Sequence, residues 1–471
     1  MGLFRLKPLD AHTHYVENAL PKTLSWPHLI ALGIGAIIGM GIFTLTGIGA
    51  GLAGPGVLLS FAMAGAVCAL AALSYAEVAT LIPAAGSAYT YTYTVLGEGL
   101  AWVIGWSLLL EYGLVCSAVA VGWAAHVNGF LAGALHVSLP PQLLAGPMEG
   151  GVVNILAVAI VVVITGLLLL GARESAVVNI ILVGIKLVAL GAFIAVTVPA
   201  IKTGNYQPFM PFGFLAHQVG DQKMGVMAAA AIMFFAFYGF DAVSTSAEET
   251  KNPSRDLTIG ILGSMIICTV FYMVVGACVV GVLPYTEVAK SHGEPLPYIL
   301  RLLDHPLLAS LVGGAAILAL PSVVLVFMYG QSRILFVMAR DGLIPSGLSK
   351  LDKRGVPVIM TLLTGAFVAI FAGLVPLKQI TEMANSGTLA AFIAVSLAMI
   401  ILRVRHPGLK RVFRTPLYWL VGPAAIAGCA FLFTSLTTFT MKAFLVWNVV
   451  GVVVYFAYGF SHSKLRGSEQ A

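Results

Sequence analysis

The sequence predicts an all-α polytopic membrane protein of 12 transmembrane helices, and three observations predict it. The chain of 471 residues is 59% hydrophobic and only 9% charged, far below the roughly 25% charge of ordinary soluble domains. Its mean hydropathy is +0.98. Its apolar residues fall in runs of about 20 without alternation, the length a helix needs to cross a bilayer and not the pattern of a barrel strand. Backbone groups in lipid must pair internally, so such runs read as helices.

Taken in order, the runs lie at 27–52, 55–82, 98–131, 150–171, 176–200, 225–248, 257–283, 307–339, 357–375, 380–402, 416–436 and 440–461. A polar segment, 1–26, precedes them and a polar tail, 462–471, follows. Because the first stretch is polar and the run after it is long, no cleavable leader is expected. An even number of spans puts both ends on one side. The loops on that side carry roughly three times the Lys and Arg of the other, which predicts cytoplasmic termini. The same bias accounts for the net charge of +6 without a nucleic-acid partner. Cys68, Cys116, Cys268, Cys278 and Cys429 all lie inside apolar runs and read as small buried hydrophobes. No metal-ligand string is present, and His12 and His14 read as solvated residues of the polar N-terminal segment. No metal site and no catalytic residue is expected.

Two spans are unusual. The first carries Gly33, Gly35, Gly39 and Gly41 in GIGAIIGMGIF; the sixth reads FFAFYGFDAVSTSAEET, with Gly239 and Asp241 interrupting an apolar run. Glycine-interrupted spans at matching positions of two halves predict an inverted repeat of five spans, 27–200 and 225–402, followed by two extra spans in 403–461. Where a helix unwinds, its N–H and C=O groups are released, and each half-helix end carries about half a charge. Breaks at Gly39–Gly41 and Phe235–Gly239 therefore suit a zwitterionic α-amino acid. The same glycines could instead serve close helix packing.

The deep polar residues are few. Lys186 lies about ten residues from either end of its span, too deep to snorkel. It reads as a proton-coupling amine or as half of a permanent ion pair. Glu111 could pair with Lys186 or face a substrate cavity. Glu77, nearer a cytoplasmic end, reads as a gate or packing residue. Glu248 and Glu249, with Lys251 and Arg255, read as a cytoplasmic salt-bridge cluster able to lock an inner gate. One or two of Phe234, Phe235, Phe237, Tyr238 and Phe240 could cap an occluded substrate.

The strings GIGAIIGMGIF, YAEVATLIPAAGSAYTYTYTVLGE, GFDAVSTSAEETKNPSRDLTIGI, MYGQSRILFVMARDGLIP and NSGTLAAF resemble the APC superfamily of amino-acid transporters, and within it a bacterial-type member of the cationic amino acid transporter family. The resemblance implies a leucine-transporter-like fold. It implies that the unwound first helix (Ile37, Gly39, Met40, Gly41) binds the α-carboxylate and part of the amine, and that carbonyls around Phe235, Ala236 and Tyr238 complete the amine site. Lys186 matches a fifth-span lysine whose ammonium replaces a sodium ion in related carriers, which implies proton coupling. Glu111 matches an acidic residue of the third span. Met40 stands where a small hydroxylated residue is usual, and Tyr238 where an aliphatic one is. Leu320 and Pro321 replace commoner polar or flexible residues. A pocket of Met40, Cys116, Tyr238 and Leu320 favours small or apolar substrate side chains unless Glu111 is accessible to the substrate.

The expected function is secondary active transport of L-amino acids across the plasma membrane by proton-coupled symport and alternating access, with no cofactor beyond the proton. The alternatives are an amino-acid/amine exchanger and, from another class, a membrane amino-acid receptor. Against an enzyme stands the lack of a nucleophile–base pair; against a receptor, the lack of a long polar segment. The expected partners are the substrate, membrane lipids and, through the last two spans, a homodimer mate or small membrane protein.

Overall fold

Two helices break in mid-course, and the other elements pack around them. The computed structural model describes all residues except 1–4, 9–23, 85, 135, 136, 138, 172–175, 221, 248, 249, 292, 351, 353–355 and 469–471. Helix α1 (Trp26–Ile37) has a proline in its first turn, where the missing N–H is no loss. It stops at Ile38, whose ψ of 91° is extended. The chain resumes helically as a π-turn, Gly41–Leu45, and then α2 (Thr46–Ala53). The first break thus falls at Ile38–Gly39, slightly before the expected Gly39–Gly41.

The chain continues through α3 (Val57–Leu81), α4 (Ser87–Val95), α5 (Glu98–Ala134), α6 (Ile155–Leu169) and α7 (Ala176–Thr197). A small antiparallel hairpin of β1 (His217–Val219) and β2 (Gln222–Met224) precedes the second broken helix. There α8 (Val226–Met233) tightens into a 3-10 turn at Phe234–Phe237. Tyr238 is extended and Gly239 has φ 113°, a left-handed conformation open to glycine without strain. Helix α9 (Phe240–Thr245) follows. Next come α10 (Pro253–Val282), the short α11 (Tyr285–Val288) and α12 (Pro295–Leu302), α13 (Pro306–Arg340), α14 (Val358–Leu374), α15 (Leu377–Arg405), α16 (Tyr418–Ser435) and α17 (Thr438–Val454).

Nine helical stretches among the described residues are long and apolar enough to cross a membrane. The first of these, Trp26–Leu81, includes the break and α3, and α6 and α14 are shorter apolar helices. The chain is a mostly helical, multi-pass membrane protein. In one group α1 packs on α10, α10 on α3, and α3 on α8; in a second, α5 packs on α6, α13 and α14. Helix α7 touches α1 and α13, and α15 joins α5 to α3.

The seam between α5 and α13 follows from a proline. Pro321 lies inside α13 and has no N–H for the Ile317 carbonyl four residues back. The Trp123 indole of α5 donates to that carbonyl at 2.9 Å. Two turns away the Cys116 thiol reaches the Val324 carbonyl at 3.6 Å, so the two helices run antiparallel. All five cysteines are free and buried.

Candidate functional site

The two breaks cross one another. A Cβ on Gly41 would lie 2.4 Å from the Cα of Ala236, and one on Gly239 would lie 2.6 Å from the Cβ of Ala36. Both values are far inside van der Waals contact, so only glycine lets the unwound segments touch. The contacts are nearly reciprocal, each glycine resting on the backbone of the opposite break.

This crossing gathers most of the residues expected from sequence. Ile37, Met40, Phe235, Ala236, Tyr238, Cys116 and Leu320 are all buried. Gly39 faces Val323, one turn beyond Leu320 on α13. The Met40 side chain packs over Gly122 of α5. The Phe235 and Tyr238 rings lie 4.9 Å apart, and the Tyr238 hydroxyl bonds Asn385 of α15. Tyr238 therefore offers its ring to the crossing while its polar tip is already engaged.

The released carbonyls have found donors. Gly35 would accept from the Gly39 amide if α1 ran on; instead the Lys186 ammonium reaches its oxygen at 2.7 Å. The cation thus sits at the negative end of a half-helix, where the dipole favours it. The Tyr272 hydroxyl lies 2.6 Å from the Ile37 oxygen and 2.8 Å from that of Ala236, touching both breaks from α10. Sequence reasoning missed Tyr272, Trp123 and Asn385. Only Asn385, a polar residue within NSGTLAAF, gave a signal.

Glu111 and Lys186 are not a pair. Neither carboxylate oxygen of Glu111 meets hydrogen-bond geometry with a described residue, and its Cβ lies against Gly387 of α15. Asp241 accepts from the Gly239 amide at 3.2 Å and from the Tyr112 hydroxyl at 3.2 Å, fastening the start of α9. Two buried carboxyl groups thus stand beside the second break, and Lys186 caps the first.

Glu77 is buried, 1% exposed, despite its place near a helix end. Arg403 Nε and Arg411 Nε lie 2.7 and 3.0 Å from its Oε1. Its Oε2 accepts from Arg403 Nη2 and the Thr415 amide, each at 2.8 Å. It ties α3 to the end of α15 and the segment beyond. Glu248 and Glu249 lie outside the described residues. Near them, the Lys251 amide donates to the Leu24 carbonyl at 2.8 Å, joining the approach to α1 to the exit from α9.

The described residues of the crossing are buried. A cavity of about 820 Å³ lies to one side, lined by Ile48, Val121, Asn128, Glu294, Arg301 and Lys378 among others. None of the residues expected to bind substrate lines it. Glu294 and Arg301 form an ion pair at its wall.

A family model for amino acid permeases matches residues 24–460. The chain is 45% identical to the branched-chain amino acid permease of Bacillus subtilis (strain 168), over 96% of each protein. It is 39% identical to the methylthioribose transporter of the same bacterium, over 99% of each. It is 37% identical to the mitochondrial cationic amino acid transporter 3 of Arabidopsis thaliana, over 86% of this chain and 67% of that protein.

Proposed function

The chain belongs to the amino acid permease family, as a bacterial-type member of the APC superfamily, and on that premise we propose that it is a proton-coupled importer of L-amino acids with apolar side chains. Members of this family are carriers and not enzymes. The protein works in the plasma membrane by alternating access, with both termini cytoplasmic. It has twelve spans, in two inverted repeats at 27–200 and 225–402 and two further helices in 403–461. The nearly reciprocal contacts of Gly41 with Ala236 and of Gly239 with Ala36 support the repeat. The cavity beside Ile48 and Arg301 is the outer vestibule, and the exposed Leu445, Val449 and Val453 of α17 face lipid, a second copy or a small membrane protein.

In this reading the substrate carboxylate meets the amides freed around Gly39, Met40 and Gly41, at the positive end of the second half-helix. The ammonium meets carbonyls of Ile37, Phe235, Ala236 and Tyr238 at the opposite, negative ends. Met40, Cys116, Tyr238 and Leu320 surround the side chain. None of them is charged, which favours an apolar substrate, and the relative named for branched-chain amino acids supports the same class. Glu111 and Lys186 carry the coupling proton.

The contact of Lys186 with the Gly35 carbonyl carries this reading. A protonated amine holds the end of α1 by a charge-assisted bond; a neutral amine holds it less tightly. Protonation thus biases the arrangement of the broken helix, and substrate and proton favour the same state. The test is leucine uptake into amino-acid-free proteoliposomes with an alkaline lumen, with isoleucine, alanine, arginine, glutamate and methylthioribose as competitors. Accumulation driven by the pH gradient and inhibited by isoleucine supports the proposal. Uptake that requires a preloaded internal amino acid supports an exchanger. Binding without counterflow supports a receptor. Inhibition by arginine or methylthioribose alone overturns the apolar substrate.

A further inference from the structure

We propose that Tyr272 is a positioning residue for the substrate ammonium: its hydroxyl braces the Ile37 and Ala236 carbonyls at the spacing that a primary α-ammonium requires. This rests on the site described above and assigns a residue outside it. Tyr272 is fully buried, and its oxygen lies 2.6 and 2.8 Å from two carbonyls that belong to different broken helices. Carbonyl dipoles turned toward one point repel, and a shared donor between them offsets that repulsion. A phenol has one proton for two acceptors. The pair is therefore short of one donor, which an incoming N–H would supply.

The brace is rigid. The Tyr272 ring is held 5.9 Å from that of Phe61 and 5.2 Å from that of Phe237, so the hydroxyl cannot swing away. Gly41 against Ala236 and Gly239 against Ile37 bring the two breaks into backbone contact, and the shared hydroxyl bond sets how the two carbonyls are turned. Without the hydroxyl the carbonyls turn apart, and the ammonium must reassemble its acceptors, which lowers affinity. A primary ammonium brings three donors; N-methylation removes one and thrusts a methyl group among buried backbone. The ligand class is accordingly a primary α-amino acid, with N-methylated analogues rejected.

The experiment compares leucine uptake by the wild type, Tyr272→Phe and Trp102→Phe in proteoliposomes, with thermal stability measured in parallel. Tyr272→Phe keeps the ring and removes the donor; Trp102→Phe removes another buried donor, the indole that serves the Gly451 carbonyl at 2.7 Å, away from both breaks. The KM of Tyr272→Phe should rise at least fivefold with maximal rate within about twofold, while Trp102→Phe lowers thermal stability and leaves KM within about twofold. An unchanged or lower KM in Tyr272→Phe overturns the proposal, and so does a KM rise in Trp102→Phe equal to that of Tyr272→Phe. Should Tyr272→Phe fail to fold, inhibition of the wild type decides: leucine should outcompete N-methylleucine by tenfold or more, and equal inhibition overturns the brace. Failure of the wild type to take up leucine counts against the transport reading itself; transport with an unchanged variant counts against Tyr272 alone.

Discussion

Lys186 donates to the carbonyl of Gly35 across 2.7 Å, taking the place of the amide that a continuous helix would have supplied. A lysine inside an apolar helix and a helix that stops in mid-course therefore answer one another. The lysine needs a partner in a low-dielectric interior, and the half-helix needs a cation at its negative end.

The closeness of the crossing predicts the effect of a methyl group. Gly41→Ala would place a Cβ 2.4 Å from the Ala236 backbone, so the two broken helices must part. Overpacking of this kind costs about 1–3 kcal/mol. The purified variant should melt several degrees lower and transport poorly. Wild-type uptake at an unchanged melting temperature would contradict the close contact.

Trp123 serves the carbonyl stranded by Pro321. Trp123→Phe keeps most of the ring and removes the donor, leaving Ile317 unserved at a cost of about 1–3 kcal/mol. In a Pro321→Ala background the helix can supply its own N–H, and the same substitution should cost much less. A double-mutant cycle in thermal stability reads the difference; equal losses in both backgrounds would refute the pairing.

Glu77 holds two guanidinium groups with one carboxylate. Glu77→Gln leaves both cations buried without their anion, a loss of roughly 3–5 kcal/mol. Arg403→Gln, which leaves the Arg411 contact in place, should cost less. If the two variants melt together with the wild type, the cluster does not hold α3 to α15.

Much of this was legible in the sequence, because the bilayer makes the sequence speak plainly. Long apolar runs had to be helices. Gly39 and Gly239 marked the broken ones, since glycine interrupts a membrane helix only where something else takes up the freed backbone groups. Lys186 stood out because a charge inside an apolar run is costly. What could not be read were the partners. A backbone carbonyl has no sequence signature, so the donors that serve one, Tyr272 and Trp123, looked like ordinary aromatics of an apolar helix. Arg403 lies 326 residues from Glu77, a distance no local pattern spans. The choice for Glu111, between pairing with Lys186 and standing beside the substrate path, needed the relative positions of α5 and α7, which periodicity does not give.

In the proposed transport cycle the Lys186 ammonium, seated on a broken helix, couples protons to amino-acid movement. The most direct test is to measure leucine uptake driven by a pH gradient and leucine counterflow at symmetric pH, in the same proteoliposomes, for the wild type and Lys186→Ala. The variant should lose gradient-driven accumulation at least tenfold and retain measurable counterflow. Full accumulation by Lys186→Ala under the pH gradient would contradict that coupling.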